Sequence, residues 1–211
     1  MSALVVNALP VTGAASRLLV LLHGYGADEH DLAPVAELID PTRTFRTICP
    51  RGPVTVMPFG GAGWYERSVE GHIDPAAFLA AVDAVDATID AACEQHDLPR
   101  RTAVVIGFSQ GGAMAVAASL RSGGGERPAA MACLSGMLPE VEGLDYAFDE
   151  LLPRILVQHG TMDPLVTVDR GRFLRQTLAN HAVEHEYREY PMEHEINGQS
   201  VVDLGAWLAT V

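Results

Sequence analysis

Short apolar runs alternate with longer amphipathic stretches along most of the chain. The runs are rich in Val, Ile and Leu, as the strands of a parallel sheet are, and they predict strands over residues 4–7, 18–22, 44–49, 103–108, 129–134, 155–158 and 184–190. The amphipathic stretches predict helices over residues 29–39, 75–96, 110–120, 168–181 and 197–210. This alternation predicts an α/β fold, with a mostly parallel central sheet and helices on both faces.

The clearest helix is predicted for residues 75–96. Its apolar residues recur at steps of three and four, while Asp83, Asp86 and Asp90 keep to the opposite side. Pro75 suits the first helical position, and Asp74 before it suits the N-cap.

The chain has 211 residues, a length that favours a single domain over residues 1–211. Two Gly-rich pieces interrupt the pattern, a loop over residues 60–63 and a helix end at residues 123–125. The segment 135–153 between two predicted strands is too short for a folded cap domain. We therefore expect a fold without a cap domain and a site open to solvent.

Charge and cysteine content narrow the classes of partner. The formal net charge of -13 has the wrong sign for binding nucleic acid or anionic lipid. Cys49, Cys93 and Cys133 are widely spaced, so neither a disulfide framework nor a zinc cluster is encoded, which favours a reducing compartment.

No basic leader is visible, and the apolar run 18–22 is too short to span a bilayer. We expect a cytoplasmic protein without stable membrane insertion, and we leave a homodimer open.

A candidate nucleophile lies between a predicted strand and a predicted helix. Ser109 is the centre of a G-x-S-x-G motif, formed with Gly107 and Gly111, that follows the strand over residues 103–108. A serine on so sharp a turn needs neighbours without side chains, because the turn otherwise cannot close. The motif therefore predicts a nucleophilic serine.

A serine hydroxyl is a weak nucleophile, so this interpretation requires a histidine base and a carboxylate that orients it. Asp163 follows the strand over residues 155–158 and His194 follows the strand over residues 184–190, which places both at the same sheet edge as Ser109. Their competitors have structural explanations, as residues of a helix start, a helix end, a strand or an irregular segment: Asp149, Asp169, His181 and His185. A metal site and a cofactor are not expected.

Acyl transfer also needs N–H donors for the oxyanion that forms on the substrate. The backbone N–H of Gln110 follows the nucleophile, and the Gly-rich loop after the strand 18–22 offers the N–H of Tyr25. We expect these two groups to form the oxyanion hole.

Seven segments carry a resemblance that goes beyond a generic catalytic triad: residues 22–28 (LHGYGAD), 51–53 (RGP), 63–65 (GWY), 107–114 (GFSQGGAM), 134–136 (LSG), 159–163 (HGTMD) and 190–196 (YPMEHEI). In order and spacing they resemble the phospholipase/carboxylesterase family. The resemblance implies a small cap-free α/β-hydrolase with Ser109, Asp163 and His194 as its triad. Members usually have Gly before the catalytic histidine, where this chain has Glu193. If that position requires φ > 0, Glu193 is strained there.

The resemblance implies an esterase for short to medium acyl chains, acting on a small-molecule ester or thioester. Apolar side chains in loops near the predicted site are candidates for the acyl groove: Met57, Phe59, Trp64, Leu165 and Val166. Two alternatives stay open within the enzyme class, an acyl-protein thioesterase and a lysophospholipase. From another class comes a protein that keeps the scaffold but only binds a ligand.

Overall fold

The computed structural model describes residues 4–13, 15–58, 60–68 and 71–211. Nine strands are described: β1 Val6–Ala8, β2 Leu18–Leu22, β3 Arg46–Pro50, β4 Val54–Val56, β5 Gly61–Gly63, β6 Val104–Phe108, β7 Ala130–Leu134, β8 Arg154–Gly160 and β9 Glu186–Tyr190. Five α-helices accompany them: α1 Ala33–Ile39, α2 Pro75–His96, α3 Gln110–Leu120, α4 Val168–Asn180 and α5 Gly198–Leu208.

Seven of the strands form one sheet in the order β1-β3-β2-β6-β7-β8-β9. Only β1 is antiparallel to its neighbour. The register aligns Phe108 with Leu134, so β6 and β7 end level, and it aligns Gly160 with Tyr190, so β8 and β9 end level. The loops that follow β6, β8 and β9 therefore meet at one edge of the sheet, where the side chains of a parallel α/β sheet can form a site.

Both faces of the sheet are covered, as the apolar runs predict. Leu18, Val20 and Leu22 pack towards α2 and α3, while Leu19 and Leu21 pack towards α1 and α5. Successive side chains of a strand point to opposite faces, and a strand with helices on both sides must be apolar throughout. A third cluster joins β7 and β8 to α3 and α4. The predicted layer order is confirmed.

Helix α2 has the predicted bounds, and its acidic side holds an ion-pair cluster. The carboxylate of Asp74 accepts a hydrogen bond from the N–H of Ala76 at 3.0 Å. Asp86 is buried and pairs with Arg100 and with Arg121, at 2.5 Å from the latter. The polar side of this helix therefore packs against the chain that leads into β6 and the chain that leaves α3.

The structure corrects the prediction of a loop over residues 60–63. Residues Gly61–Gly63 form β5 and pair with β4 in a hairpin. The loop after β2 stabilises this hairpin, because Gly26 donates to the Ala62 carbonyl at 2.8 Å and Ala62 donates to the Ala27 carbonyl at 2.6 Å. The glycine-rich composition conceals a strand that is held by its hairpin neighbour and by a loop distant in sequence.

Helix α1 begins at Ala33, four residues later than predicted. The preceding residues are held in other contacts: Asp28 Oδ1 accepts from the His30 N–H at 2.9 Å, and Glu29 pairs with Arg51 at 2.7 Å. Side-chain bonds to nearby backbone groups compete with helix formation in this way.

Residues 135–153, between β7 and β8, contain no helix, and their one β-contact is a bridge between Tyr146 and Arg121. The sheet edge beyond β6 is thus not covered by a cap domain. Within the described part of the chain, no helix has both the length and the apolar character needed to cross a membrane.

Candidate active site

Ser109 occupies a strained turn between β6 and α3. Its φ of 56° and ψ of -117° are unfavourable for a residue with a side chain. A Cβ at Gly107 would lie 2.0 Å from the carbonyl oxygen of Gly111, and one at Gly111 would lie 2.0 Å from that of Leu22. Close backbone contacts therefore require both glycines of the motif. The tight turn that results places the hydroxyl of Ser109 at the end of the strand.

The structure brings Ser109, His194 and Asp163 into one hydrogen-bonded chain. His194 Nε2 lies 2.8 Å from Ser109 Oγ, and His194 Nδ1 lies 2.6 Å from Asp163 Oδ2. These contacts indicate that Nδ1–H donates to the carboxylate while Nε2 accepts from the hydroxyl. The histidine ring also lies against the ring of Phe108, with 4.9 Å between centroids.

Asp163 is held by its own loop. Its side chain is fully buried, and Oδ1 accepts from the N–H groups of Leu165 and Val166 at 2.9 and 2.8 Å. Oδ2 is thereby left for His194. A carboxylate fixed in this way can orient the imidazole ring and stabilise its protonated form.

A second histidine, for which no role is predicted from the sequence, lies beside this carboxylate. His159 is fully buried, and its Nε2 lies 2.7 Å from the carbonyl of Val166 and 3.7 Å from Asp163 Oδ2. Burial lowers its pKa, which favours the neutral ring, and Nε2–H donates to that carbonyl. Its position at the end of β8, four residues before Asp163, is the signal that could have identified it.

The side chain of Gln110 makes two hydrogen bonds that the sequence pattern did not predict. Oε1 accepts from the N–H of Trp64 at 2.8 Å, and Nε2 donates to the carbonyl of Tyr65 at 2.7 Å. The indole N–H of Trp64 in turn donates to the carbonyl of His23 at 2.8 Å. The first residue of α3 is thus joined to the segment after the hairpin and to the loop after β2.

His23 is a structural residue in this loop. Its Nδ1 lies 2.7 Å from the Gly24 carbonyl, and its Nε2 accepts from the N–H of Gly52 at 3.0 Å. Burial lowers the pKa of the ring, and the two bonds together require the neutral form.

The two N–H groups expected at the oxyanion are both available. Among the described residues, neither the N–H of Tyr25 nor that of Gln110 donates to a protein acceptor. Gln110 is the first residue of α3, where N–H groups have no partner within the helix. The dipole of the same helix favours negative charge at this end.

A family model described as phospholipase/carboxylesterase matches residues 9–211. The chain belongs to the phospholipase/carboxylesterase family. It is therefore a hydrolase that acts on ester or thioester bonds.

Relatives and solved structures agree with this family. The chain is 27% identical to acyl-protein thioesterase 1 of Mycosarcoma maydis, over 92% of this chain and 90% of that protein. The crystal structure of esterase PE8 superposes with a TM-score of 0.84 at 26% identity, covering all of both chains. A carboxylesterase from Mesorhizobium loti has a TM-score of 0.80 at 26% identity, over 93% of this chain and 90% of that one. The predicted α/β-hydrolase fold is confirmed.

Glu193 departs from the usual phospholipase/carboxylesterase pattern without backbone strain. It is absent from the described non-glycine residues with positive φ, which are Arg43, Asp97, Ser109, Ser135 and Ala182. The condition for strain at Glu193, a positive φ, is therefore not met. Its carbonyl accepts from the N–H of Glu195 at 3.0 Å in the tight loop that carries His194. This loop accommodates a side chain where the family usually has glycine.

A cavity of about 520 Å³ opens beside Ser109. Leu165 and Val166, two of the candidates for the acyl groove, line it. Trp64 does not, because it is buried in the core against His23, and its place in the acyl groove was wrong. Met57 is exposed outside the cavity lining, and Phe59 lies outside the described residues. Other residues complete the wall, among them Tyr65, Arg67, Phe108 and Met137.

The competing acids and histidines have contacts away from Ser109. Asp169 lies in the first turn of α4 and pairs with Arg172 at 3.3 Å. His181 follows α4 and stacks on Phe148, while His185 Nδ1 lies 2.8 Å from the Val183 carbonyl. Asp149 lies in the irregular segment before β8. In the described ranges, no three His, Cys, Asp or Glu side chains are grouped as metal ligands would be.

Proposed function

We propose that this protein is a serine carboxylesterase that cleaves short to medium acyl esters through an acyl-enzyme. The observation that carries the proposal is the hydrogen-bonded chain from Ser109 through His194 to Asp163, with contacts of 2.8 and 2.6 Å. Membership of the phospholipase/carboxylesterase family supports the reaction class.

In the first step, Ser109 Oγ attacks the ester carbonyl while His194 Nε2 takes its proton. The negative charge that develops on the carbonyl oxygen is stabilised by the N–H groups of Tyr25 and Gln110. Asp163 holds the ring and stabilises its positive charge without taking up the proton. His194 then protonates the departing alcohol, which leaves the acyl group on Ser109.

In the second step, water attacks the acyl-enzyme and His194 again acts as the base. Collapse of the second tetrahedral intermediate returns the proton to Ser109 and releases the acid. The cavity is open, with no cap over the sheet edge beyond β6, so water has direct access to the acyl-enzyme.

Fluorophosphonate labelling tests the nucleophile without any choice of substrate. We expect one label per chain, located on Ser109 by peptide fragmentation, and no label on a folded Ser109→Ala variant. Hydrolysis of 4-nitrophenyl butyrate by the wild type should be lost in the same variant. An unlabelled, folded wild type would contradict the proposal and favour a protein that only binds a ligand.

A thioesterase is the second candidate, because the relative from Mycosarcoma maydis is named an acyl-protein thioesterase. The same triad can release a thiol in place of an alcohol. Comparing kcat/KM for butyryl thiocholine and butyryl choline, and then for an S-acylated peptide and a lysophospholipid, separates the carboxylesterase, thioesterase and lysophospholipase activities.

Cellular location and domain count also belong to this proposal. Cys49, Cys93 and Cys133 are buried free thiols, and burial raises the pKa of each, to about 12 for Cys49 and Cys133. Unpaired thiols of this kind suit a reducing compartment, which supports the cytoplasm. One continuous sheet, whose strands run along the chain from Val6 to Tyr190, supports a single domain.

A further inference from the structure

A groove leads away from Ser109 past two arginines. The catalytic cavity adjoins a second cavity of about 350 Å³, and Tyr65, Arg67 and Met137 line both. Arg170, in the first turn of α4, lines the second cavity. We call the two joined cavities the arginine groove.

Unpaired arginines are unexpected in this protein. Acidic residues outnumber basic ones by 27 to 14, and every basic residue is an arginine. Nine of the 14 form an ion pair with a carboxylate of the described residues. Because carboxylates outnumber guanidinium groups, many carboxylates must stay unpaired. An arginine without a carboxylate partner is therefore the less expected case.

Arg67 and Arg170 are exposed and have no carboxylate partner within the described ranges. The other arginines without a carboxylate partner differ from them. Arg17 donates to the carbonyls of Thr102 and Val211, and Arg175 lies over the ring of Tyr187. Arg46 is half-buried at the amino end of β3, at the sheet edge opposite Ser109. The two exposed and unpartnered guanidinium groups thus share one groove.

We propose that the arginine groove binds a carboxylate of the substrate, so that the preferred esters carry one free carboxyl group besides the bond that is cleaved. This inference rests on the proposed esterase function and names its substrate class. A guanidinium presents a planar fork of N–H donors that matches a carboxylate in two parallel hydrogen bonds. Arg67 is the principal contact, because it lines the cavity that contains Ser109.

The acidic residues of the groove limit the charge of the ligand. Asp31 lines the first cavity, and Glu140 and Glu142 line the second, all of them exposed. The formal charges of the groove therefore nearly cancel, on a protein whose net charge is -13. A singly charged carboxylate suits one guanidinium, whereas a doubly charged phosphate would meet repulsion from these acids.

Matched pairs of esters test the proposal, with kcat/KM as the measured quantity. The first pair places the charge in the acyl part, as mono-4-nitrophenyl suberate against 4-nitrophenyl octanoate. The second places it in the leaving group, as 4-butyryloxybenzoate against 4-butyryloxybenzamide. We expect Arg67→Gln to lower kcat/KM about ten times more for the charged member of one pair than for its neutral partner.

Two further variants sharpen the comparison. Arg170→Gln should reduce the preference for the charged ester by a smaller factor, since Arg170 lies in the more distant cavity. Arg172→Gln, on the same helix, removes a guanidinium that is already paired with Glu189 at 2.8 Å and does not line the groove. It should leave all four rates unchanged.

The outcomes separate this inference from the proposed function. Equal effects of Arg67→Gln on charged and neutral esters, or no effect on either, would overturn the carboxylate site while the esterase stands. If the wild type hydrolyses none of the four esters, the esterase proposal fails and the inference fails with it.

Discussion

The side chain of Gln110 bonds to the backbone on both sides of the peptide that joins Trp64 to Tyr65. It accepts from the N–H of Trp64 at 2.8 Å and donates to the carbonyl of Tyr65 at 2.7 Å. Gln110 follows Ser109 directly, so these bonds connect the turn of the nucleophile to a segment about 45 residues earlier. They hold Tyr65, which lines the catalytic cavity, in a fixed position relative to the start of α3.

We predict that Gln110→Ala lowers the free energy of unfolding by about 3 kcal/mol, because two buried backbone groups lose their partners at about 1–3 kcal/mol each. Urea denaturation measures the loss. The control is Gln176→Ala, which removes an exposed contact to Asn180 and should cost less than about 0.5 kcal/mol. Similar losses in both variants would show that the Gln110 bonds contribute little.

The proposed triad predicts unequal losses of activity. Ser109→Ala should lower kcat by about 10⁶ and Asp163→Asn by about 10⁴, by analogy with other serine hydrolase triads. Both variants should remain folded, as judged by circular dichroism and thermal unfolding. Asp169→Asn is the matched control and should keep full activity, since Asp169 contacts Arg172 instead of His194. Loss of activity there would reopen the choice of carboxylate.

Stability should fall as the pH decreases through the histidine range. Burial lowers the pKa of His23 and His159 below the ordinary 6.5 in the folded chain, whereas the unfolded chain titrates near 6.5. The unfolded state then binds more protons as the pH falls. The free energy of unfolding therefore has its full value above about pH 7 and declines below about pH 6.5.

Urea unfolding at a series of pH values between about 8 and 5.5 checks this dependence. His159→Gln should make it shallower, and the exposed control His72→Gln should leave it unchanged. A free energy of unfolding that rises as the pH falls would contradict the prediction.

The ion-pair cluster under α2 should be important for stability. Arg100 is buried and pairs with Asp86, so Asp86→Asn leaves a buried guanidinium with Asp90 as its one remaining carboxylate partner among the described residues. We expect a loss of about 3 kcal/mol in the free energy of unfolding. Asp83→Asn breaks a more exposed pair with Arg121 and should cost about 1 kcal/mol or less. Equal losses would show that burial does not set the difference.

The sequence by itself determined the features that depend on local geometry. The strands are apolar because helices cover both faces of the sheet, so their runs were visible without any knowledge of partners. The turn at Ser109 requires glycine at 107 because the carbonyl of Gly111, four residues later, lies where a Cβ would be. Glycine at 111 is required by a distant group, the carbonyl of Leu22. Chain order and strand ends then led to Asp163 and His194, which the structure brings together with Ser109.

Only the tertiary structure decided which side chains face the cavity. Trp64 was expected in the acyl groove and lies in the core, because its indole N–H finds the carbonyl of His23, about 40 residues earlier. Arg67 and Arg170 carry no sequence signal, and they share a groove because the loop after the hairpin and the start of α4 approach the same sheet edge. Hydrogen bonds, ion pairs and cavity walls of this kind join residues distant along the chain, and no local pattern reports the partner.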